Sequence, residues 1–219
     1  MKIISILVIT FSIQVYAFDY QKGNGSEFSL YTKKTKVALS IYMSHVEVDS
    51  LGVEFHFGGG GILMPNMWQQ FQIEKSKQGH LKISKGFIKS GIHKKPEIMT
   101  KEQFQVNEGV QLQDFLFTKF VEIEKDYIGD EQLELPAGTL VAKHYRKVTG
   151  NQTVDYWISS EVLPIGLVKL ISKSSKNSTN NYQIELNSML RNVKPAIDPK
   201  KAIPMSNETS KLMSRAAIK

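Results

Sequence analysis

Between residues 36 and 190 the apolar side chains recur at every second position far more often than at every third or fourth, which restricts this chain to β-structure. In 36–48, Val37, Leu39, Ile41 and Met43 fall on one side of an extended chain and Ala38, Ser40, Tyr42 and Ser44 on the other. Val53, Phe55 and Phe57 alternate with Glu54 and His56. Leu81 and Ile83 alternate with Lys82 and Ser84 before Phe87 and Ile88 resume beyond Gly86, and Val121 and Ile123 alternate with Glu122 and Glu124. Segments 139–148, 154–159, 165–172 and 182–190 complete the strand set. Short turns of Gly, Asn and Ser join them, too short for the crossovers that parallel neighbours need, so antiparallel pairing is expected.

Two stretches depart from period two. Residues 107–117 place Val110, Leu112, Phe115, Leu116 and Phe117 near helical spacing and predict one short helix packed on the sheet. Residues 64–72 predict a turn of helix before a strand through Phe71 and Ile73. From Val193 onward, Pro195, Pro199 and Pro204 stand among few apolar residues, a composition that cannot repeat the strand pattern. Residues 193–219 are therefore expected to form a flexible basic tail, with a weak helix at 208–219.

The N-terminus states an address. Met1-Lys2 is a short positive start, residues 3–13 are apolar but for Ser5, Thr10 and Ser12, and Val15 and Ala17 occupy positions −3 and −1 of a cut after Ala17. This is the pattern of a secretory signal peptide at 1–17. The apolar run is shorter than the roughly 20 residues a spanning helix needs. No cysteine follows it, so a lipid-anchored lipoprotein is excluded. Removing 1–17 leaves 202 of the 219 residues, enough for one β domain at 18–192 followed by the tail. Zero cysteine in an exported chain excludes disulfides, thiol catalysis and Cys-ligated metal, and tilts the destination toward a bacterial periplasm. The expected location is periplasmic or secreted. The Asn-x-Ser/Thr sequons at Asn24, Asn151, Asn177 and Asn207 then read as chance matches in polar loops.

The net charge is +7, and +6 without the signal, whose only charge is Lys2. Lysines are spread along the chain, with denser groups at Lys33-Lys34-Thr35-Lys36, His93-Lys94-Lys95 and Lys200-Lys201. Such spacing fits solvated loop and strand faces; its functional counterpart is peripheral attraction to an anionic membrane surface, about 1 kcal/mol per Lys close to it. The destination and the lack of a basic helix or aromatic stacking motif point away from nucleic acid.

Chemistry-bearing patterns are sparse. His45, His56, His80, His93 and His144 include no i, i+4 pair and no His-Glu-x-x-His motif, and no Gly-x-Ser-x-Gly elbow occurs. His56 and His144 read as solvent-facing or hydrogen-bonded strand residues. Glu122 and Glu124 share a strand face, but beside Lys119 and Lys125 they read as a charged exterior. Gly58-Gly59-Gly60-Gly61 lacks the Lys-Ser/Thr of a phosphate loop and reads as a connection free to move. Around it, Phe55, Phe57, Met64, Trp68 and Phe71 concentrate large apolar side chains. The plain reading is core; the functional reading is the mouth of an apolar ligand pocket, where Met and aromatics adapt to their guest. No catalytic residue, metal or cofactor is expected.

Residues 135–170, LPAGTLVAKHYRKVTGNQTVDYWISSEVLPIGLVKL, are similar to a pattern in uncharacterised exported proteins of Gram-negative bacteria. There a Pro-Ala-Gly-Thr turn leads to a strand ending near His-Tyr, followed by a Trp-(Ile/Val)-Ser strand and a Pro-x-Gly-Leu-Val-Lys strand. The matching positions here are Pro136, Ala137, Gly138, Thr139, His144, Tyr145, Trp157, Ile158, Ser159, Pro164, Gly166, Leu167, Val168 and Lys169. Residues 88–91 and 96–99 resemble an upstream segment more loosely. The resemblance spans about residues 26–175. It implies the open half-barrel of the LolA/LolB-like lipoprotein-localisation factors: one curved antiparallel sheet with one or two short helices, whose concave side takes acyl chains.

Two functions follow from this reading. One is a non-enzymatic periplasmic protein that binds a lipid or other apolar or amphipathic ligand. The other is an envelope protein-interaction or structural module without a small-molecule ligand. They differ in whether the concave face is hollow or filled by its own side chains.

Overall fold

The computed structural model describes residues 20–33, 35–58, 66–75, 81–91, 95–100, 124–176, 181–207 and 209. The signal segment 1–17, Met64, glycines 59–61, the expected helix at 107–117 and the expected strand residues 121–123 lie outside this set.

The first five strands are β1 (Gly25–Thr32), β2 (Lys36–Val46), β3 (Ser50–Phe57), β4 (Met67–Lys75) and β5 (Leu81–Ser90), followed by the short β6 (Glu97–Ile98). After a 3-10 turn at Glu124–Asp126 come β7 (Tyr127–Leu135), β8 (Gly138–Thr149), β9 (Gln152–Ile158), β10 (Leu167–Ser174) and β11 (Tyr182–Leu190). A second 3-10 turn, Pro199–Lys201, precedes β12 (Ile203–Pro204). Asn207 and Thr209 are helical, at the start of the expected 208–219 helix, most of which falls outside the described residues.

Among the described residues the twelve strands form one open sheet in the order β12-β6-β5-β4-β3-β2-β1-β11-β10-β9-β8-β7. Every pair is antiparallel except β12 on β6. The architecture is thus mainly β, as the alternation requires. Two meanders, β1–β6 and β7–β11, are joined where β1 pairs β11. Register shifts at 27/28, 43/45, 72/73, 127/129 and 167/169 add local twist. The sheet coils so far that Cα atoms of β7 come within 8 Å of β11, although β8, β9 and β10 lie between them.

Cross-strand partners share a face, so the register sorts the side chains. Leu39, Ile41 and Met43 stand beside Phe57, Phe55 and Val53, and beyond β1 the same inner face continues through Phe28, Leu186 and Leu170 to Tyr156 and Tyr145. Most of these are fully buried, each worth roughly 1.5–3 kcal/mol relative to exposure. Val162 and Ile165 of the β9–β10 loop join the same cluster, and the Ser26 hydroxyl donates to the Leu163 carbonyl. Gly25 is required where β1 crosses β2, since a Cβ there would sit 2.2 Å from the Ile41 carbonyl oxygen.

The chain beyond Val193 differs from expectation. Residues 193–206 form a strap fixed to the first meander rather than a free tail. Val193 N–H donates to Gly23 O at 3.0 Å, Ile203 N–H to Pro96 O at 2.9 Å and Ser206 N–H to Glu97 Oε2 at 3.3 Å. Ile203 and Pro204 even add two residues of parallel strand to β6. Proline forbids a long ladder but permits this extended strap, two of whose N–H groups, on Ala196 and Ile197, are met by a buried carboxylate. Glu54 Oε1 accepts from Ala196 N–H (2.8 Å) and the Tyr42 hydroxyl (2.6 Å), while Oε2 accepts from Ile197 N–H (3.2 Å) and the Gln70 amide (2.9 Å). Lys89 Nζ donates to Ala196 O at 3.2 Å.

Candidate functional site

The apolar residues expected to line a ligand mouth do not share one surface. On β3 and β4, Phe55 pairs with Gln69, Phe57 with Met67 and Phe71 with Val53, which places all three phenylalanines on the inner face. Phe55 and Phe71 are each only 3% exposed and meet edge to face with ring centroids 5.7 Å apart. They are core. Phe57 is half-buried at the end of β3, next to Gly58. Trp68 pairs with His56, so it points to the opposite face, stacked on the His56 ring at 4.7 Å with the Lys89 ammonium 5.7 Å from its centroid. Met64 lies outside the described residues.

A second constellation lies across β7–β11 on the outer face, where Glu185, Lys169, Trp157 and His144 follow one another in register. The His144 and Trp157 rings stack at 4.3 Å. His144 Nδ1 is 2.7 Å from Glu131 Oε1, and its Nε2 is 2.9 Å from Asp155 Oδ1. Asp155 Oδ1 also accepts from Arg146 Nε at 2.7 Å, and Glu131 Oε2 accepts from the Trp157 indole at 2.8 Å. Lys169 lies 3.5 Å from Glu185 and 5.7 Å from the Trp157 centroid. Sequence reasoning placed His144 as a hydrogen-bonded strand residue but missed Glu131 and Asp155, which sit at unremarkable positions in the chain.

Chemically this cluster ties strands together. Both imidazole nitrogens already face carboxylates, so neither is left to take a proton from a substrate, and none of these residues is a hydroxyl or thiol nucleophile. The Trp157 indole, foremost, and His144 hold the Glu131 carboxyl below its ordinary range against some desolvation. For Asp155 burial pushes upward, but hydrogen bonds from Arg146 and His144 outweigh it and leave the group below its ordinary value. Folded values below unfolded ones mean that the tie is fully present above the ordinary carboxylate range and is lost as pH falls through the depressed values. Among the described residues no group of three or more His, Cys, Asp or Glu is arranged to hold a metal, and no helix is long and apolar enough to cross a membrane.

On the inner face of the same strands, Tyr156 and Tyr145 stack at 5.3 Å and Tyr145 meets Tyr127 at 5.6 Å, so an aromatic ladder runs to the sheet edge. Tyr127, Ile128 and Val141 there are 44%, 56% and 64% exposed. Among the described residues β7 is the last strand on this side, and it carries Asp130, Glu131 and Glu134 with no Lys or Arg.

No protein-family model matches the chain, and neither does any curated protein. Among solved structures it is similar to the hypothetical protein CT021 of Chlamydia trachomatis, with 10% identity over 87% of this chain and 96% of that one and a TM-score of 0.44. A Bacteroides fragilis protein described as exported, with a YmcC-like fold, gives 12% identity over 78% and 97% and a TM-score of 0.38. MucB in the Pseudomonas aeruginosa MucA/MucB complex gives 9% identity over 83% and 56% and a TM-score of 0.36. The chain spans just over half the length of MucB.

Proposed function

We propose that this chain is an exported, non-enzymatic protein of the bacterial envelope that works by gripping an extended segment of another protein along the β7 side of its sheet. The observation that supports this reading is the contrast between the two ends of the apolar surface. In the middle of the inner face Phe28, Leu39, Ile41 and Leu186 are fully buried. At the β7–β8 hairpin, by contrast, Tyr127, Ile128 and Val141 are open beside a strand edge. Among the described residues β7 pairs with β8 alone, and an edge of that kind offers backbone N–H and C=O groups to an added strand. The acidic run on β7 favours a partner segment in which Lys or Arg alternates with apolar residues.

A photo-crosslinking residue at Ile128 in the native envelope, compared with one at Lys200 on the strap, tests the surface. The expected result is one discrete protein adduct from position 128 only, with gently extracted protein showing a ligand-free mass. Stoichiometric lipid in native mass spectra and no adduct at 128 would overturn the proposal in favour of a lipid carrier.

The address rests on the N-terminal pattern. Intact mass of protein taken from the envelope is expected to begin at Phe18, after cleavage at Ala17; a mature pool that retains Met1 would remove the export claim.

A further inference from the structure

We infer that an open surface cleft at the β8–β9 turn, which holds two cationic side chains, binds a phosphate-bearing ligand. The cleft holds about 530 Å³ and is lined in part by Arg146, Asn151, Thr153, Asp155 and Lys173, with Val148 at its rim. That volume is large enough to take a phosphoester.

Three strands build the cleft. Register places Val148, Thr153 and Lys173 in one row across β8, β9 and β10, with Arg146 and Asp155 one pleat further along the same face. Gly150 adopts φ 56° as the first of two turn residues, which closes the hairpin tightly. Asn151 O then accepts from Ser175 N–H at 2.9 Å, which locks the turn to the end of β10.

The cations are positioned before any ligand arrives. Asp155 holds Arg146 through Nε alone, at 2.7 Å, so the guanidinium is oriented while its two terminal nitrogens remain available. Asp155 is itself held by His144, which fixes the arrangement from below. Among the described residues Lys173 forms no ion pair. An oriented guanidinium plus a separate point charge matches the oxygens of a phosphate group.

Two sources supply this chemistry: a soluble phosphoester or an anionic lipid headgroup. Val148, 66% exposed at the rim, is placed to touch the acyl boundary in the second case. The test uses the mature chain with glycerol 1-phosphate in solution and, separately, with vesicles of phosphatidylglycerol in phosphatidylcholine at 0.1 M salt. Lys173→Gln is expected to weaken binding about five-fold, the loss of one well-placed cation, while Lys82→Gln on β5 changes it less than two-fold. Glycerol phosphate binding marks the soluble source. Vesicle binding that also weakens in Val148→Ser marks the lipid source. Equal loss in Lys173→Gln and Lys82→Gln, or no binding to either probe, would overturn the inference.

Discussion

Glu54→Ala is expected to destabilise the domain by about 3–5 kcal/mol, the cost of leaving buried donors without their charged acceptor. Four donors converge on this fully buried carboxylate, two from the sheet and two from the strap. Alanine leaves the Tyr42 hydroxyl and one N–H of the Gln70 amide, whose nitrogen also donates to Ile197 O, facing a void, each an unsatisfied donor worth roughly 1–3 kcal/mol. Burial, the largest of the causes that hold the Tyr42 hydroxyl above its usual range, persists in this variant and opposes compensation by loss of its proton. The strap N–H groups of Ala196 and Ile197 escape to water instead, at the expense of Ile197 burial. Glu54→Gln keeps the shape and turns one acceptor into a donor, and about 2–3 kcal/mol of loss is expected. Urea midpoints give the energies, and hydrogen exchange at 196–206 reports the strap. An Ala variant with wild-type midpoint and wild-type exchange would show that the carboxylate does not hold it.

Trp157→Ala is expected to cost about 3–5 kcal/mol, the range for truncating a large buried aromatic. Trp157 is buried on the outer face by its stack on His144, and its indole also donates to Glu131. Truncation therefore opens a cavity in the tie between the edge strand β7 and β9. Trp157→Phe separates the two contributions. It keeps most of the ring contact and removes only the indole donor, and because Glu131 is 42% exposed and can turn to water, about 0.5–1 kcal/mol is expected. A denaturation midpoint unchanged in Trp157→Ala would assign the residue to a contact surface instead of the core.

Alternation was legible wherever a strand has one apolar face. Residues 182–190 match β11, and 139–148 lie within β8, because Ile184 and Leu186, or Ala142 with His144, need one side buried. β7 escaped notice. Its sequence YIGDEQLEL mixes acids into both faces, as a strand at a sheet edge can, and period two is then hidden. β6 and β12 are two residues each, too short to show any period. The strap was misjudged for a physical reason: its order comes from Glu54, more than 140 residues earlier, and not from any pattern of its own. The aromatic mouth failed in a similar way. Proximity in sequence grouped Phe55 with Trp68, whereas strand register sends them to opposite faces.

The pairing of β1 with β11 has a consequence in time. A ribosome releases β1 more than 150 residues before its second neighbour exists, so the β1–β5 meander must wait with an open flank through most of synthesis. Long-range closures of this kind are slow, and an idle flank invites wrong pairing with another nascent chain. Glu54 waits longer still, since the two amides that complete its shell follow β11. Contacts that complete the first meander are therefore made by residues that follow β11, and a chain stalled or clipped near 190 would carry most of its sheet with an unsatisfied acid in its wall.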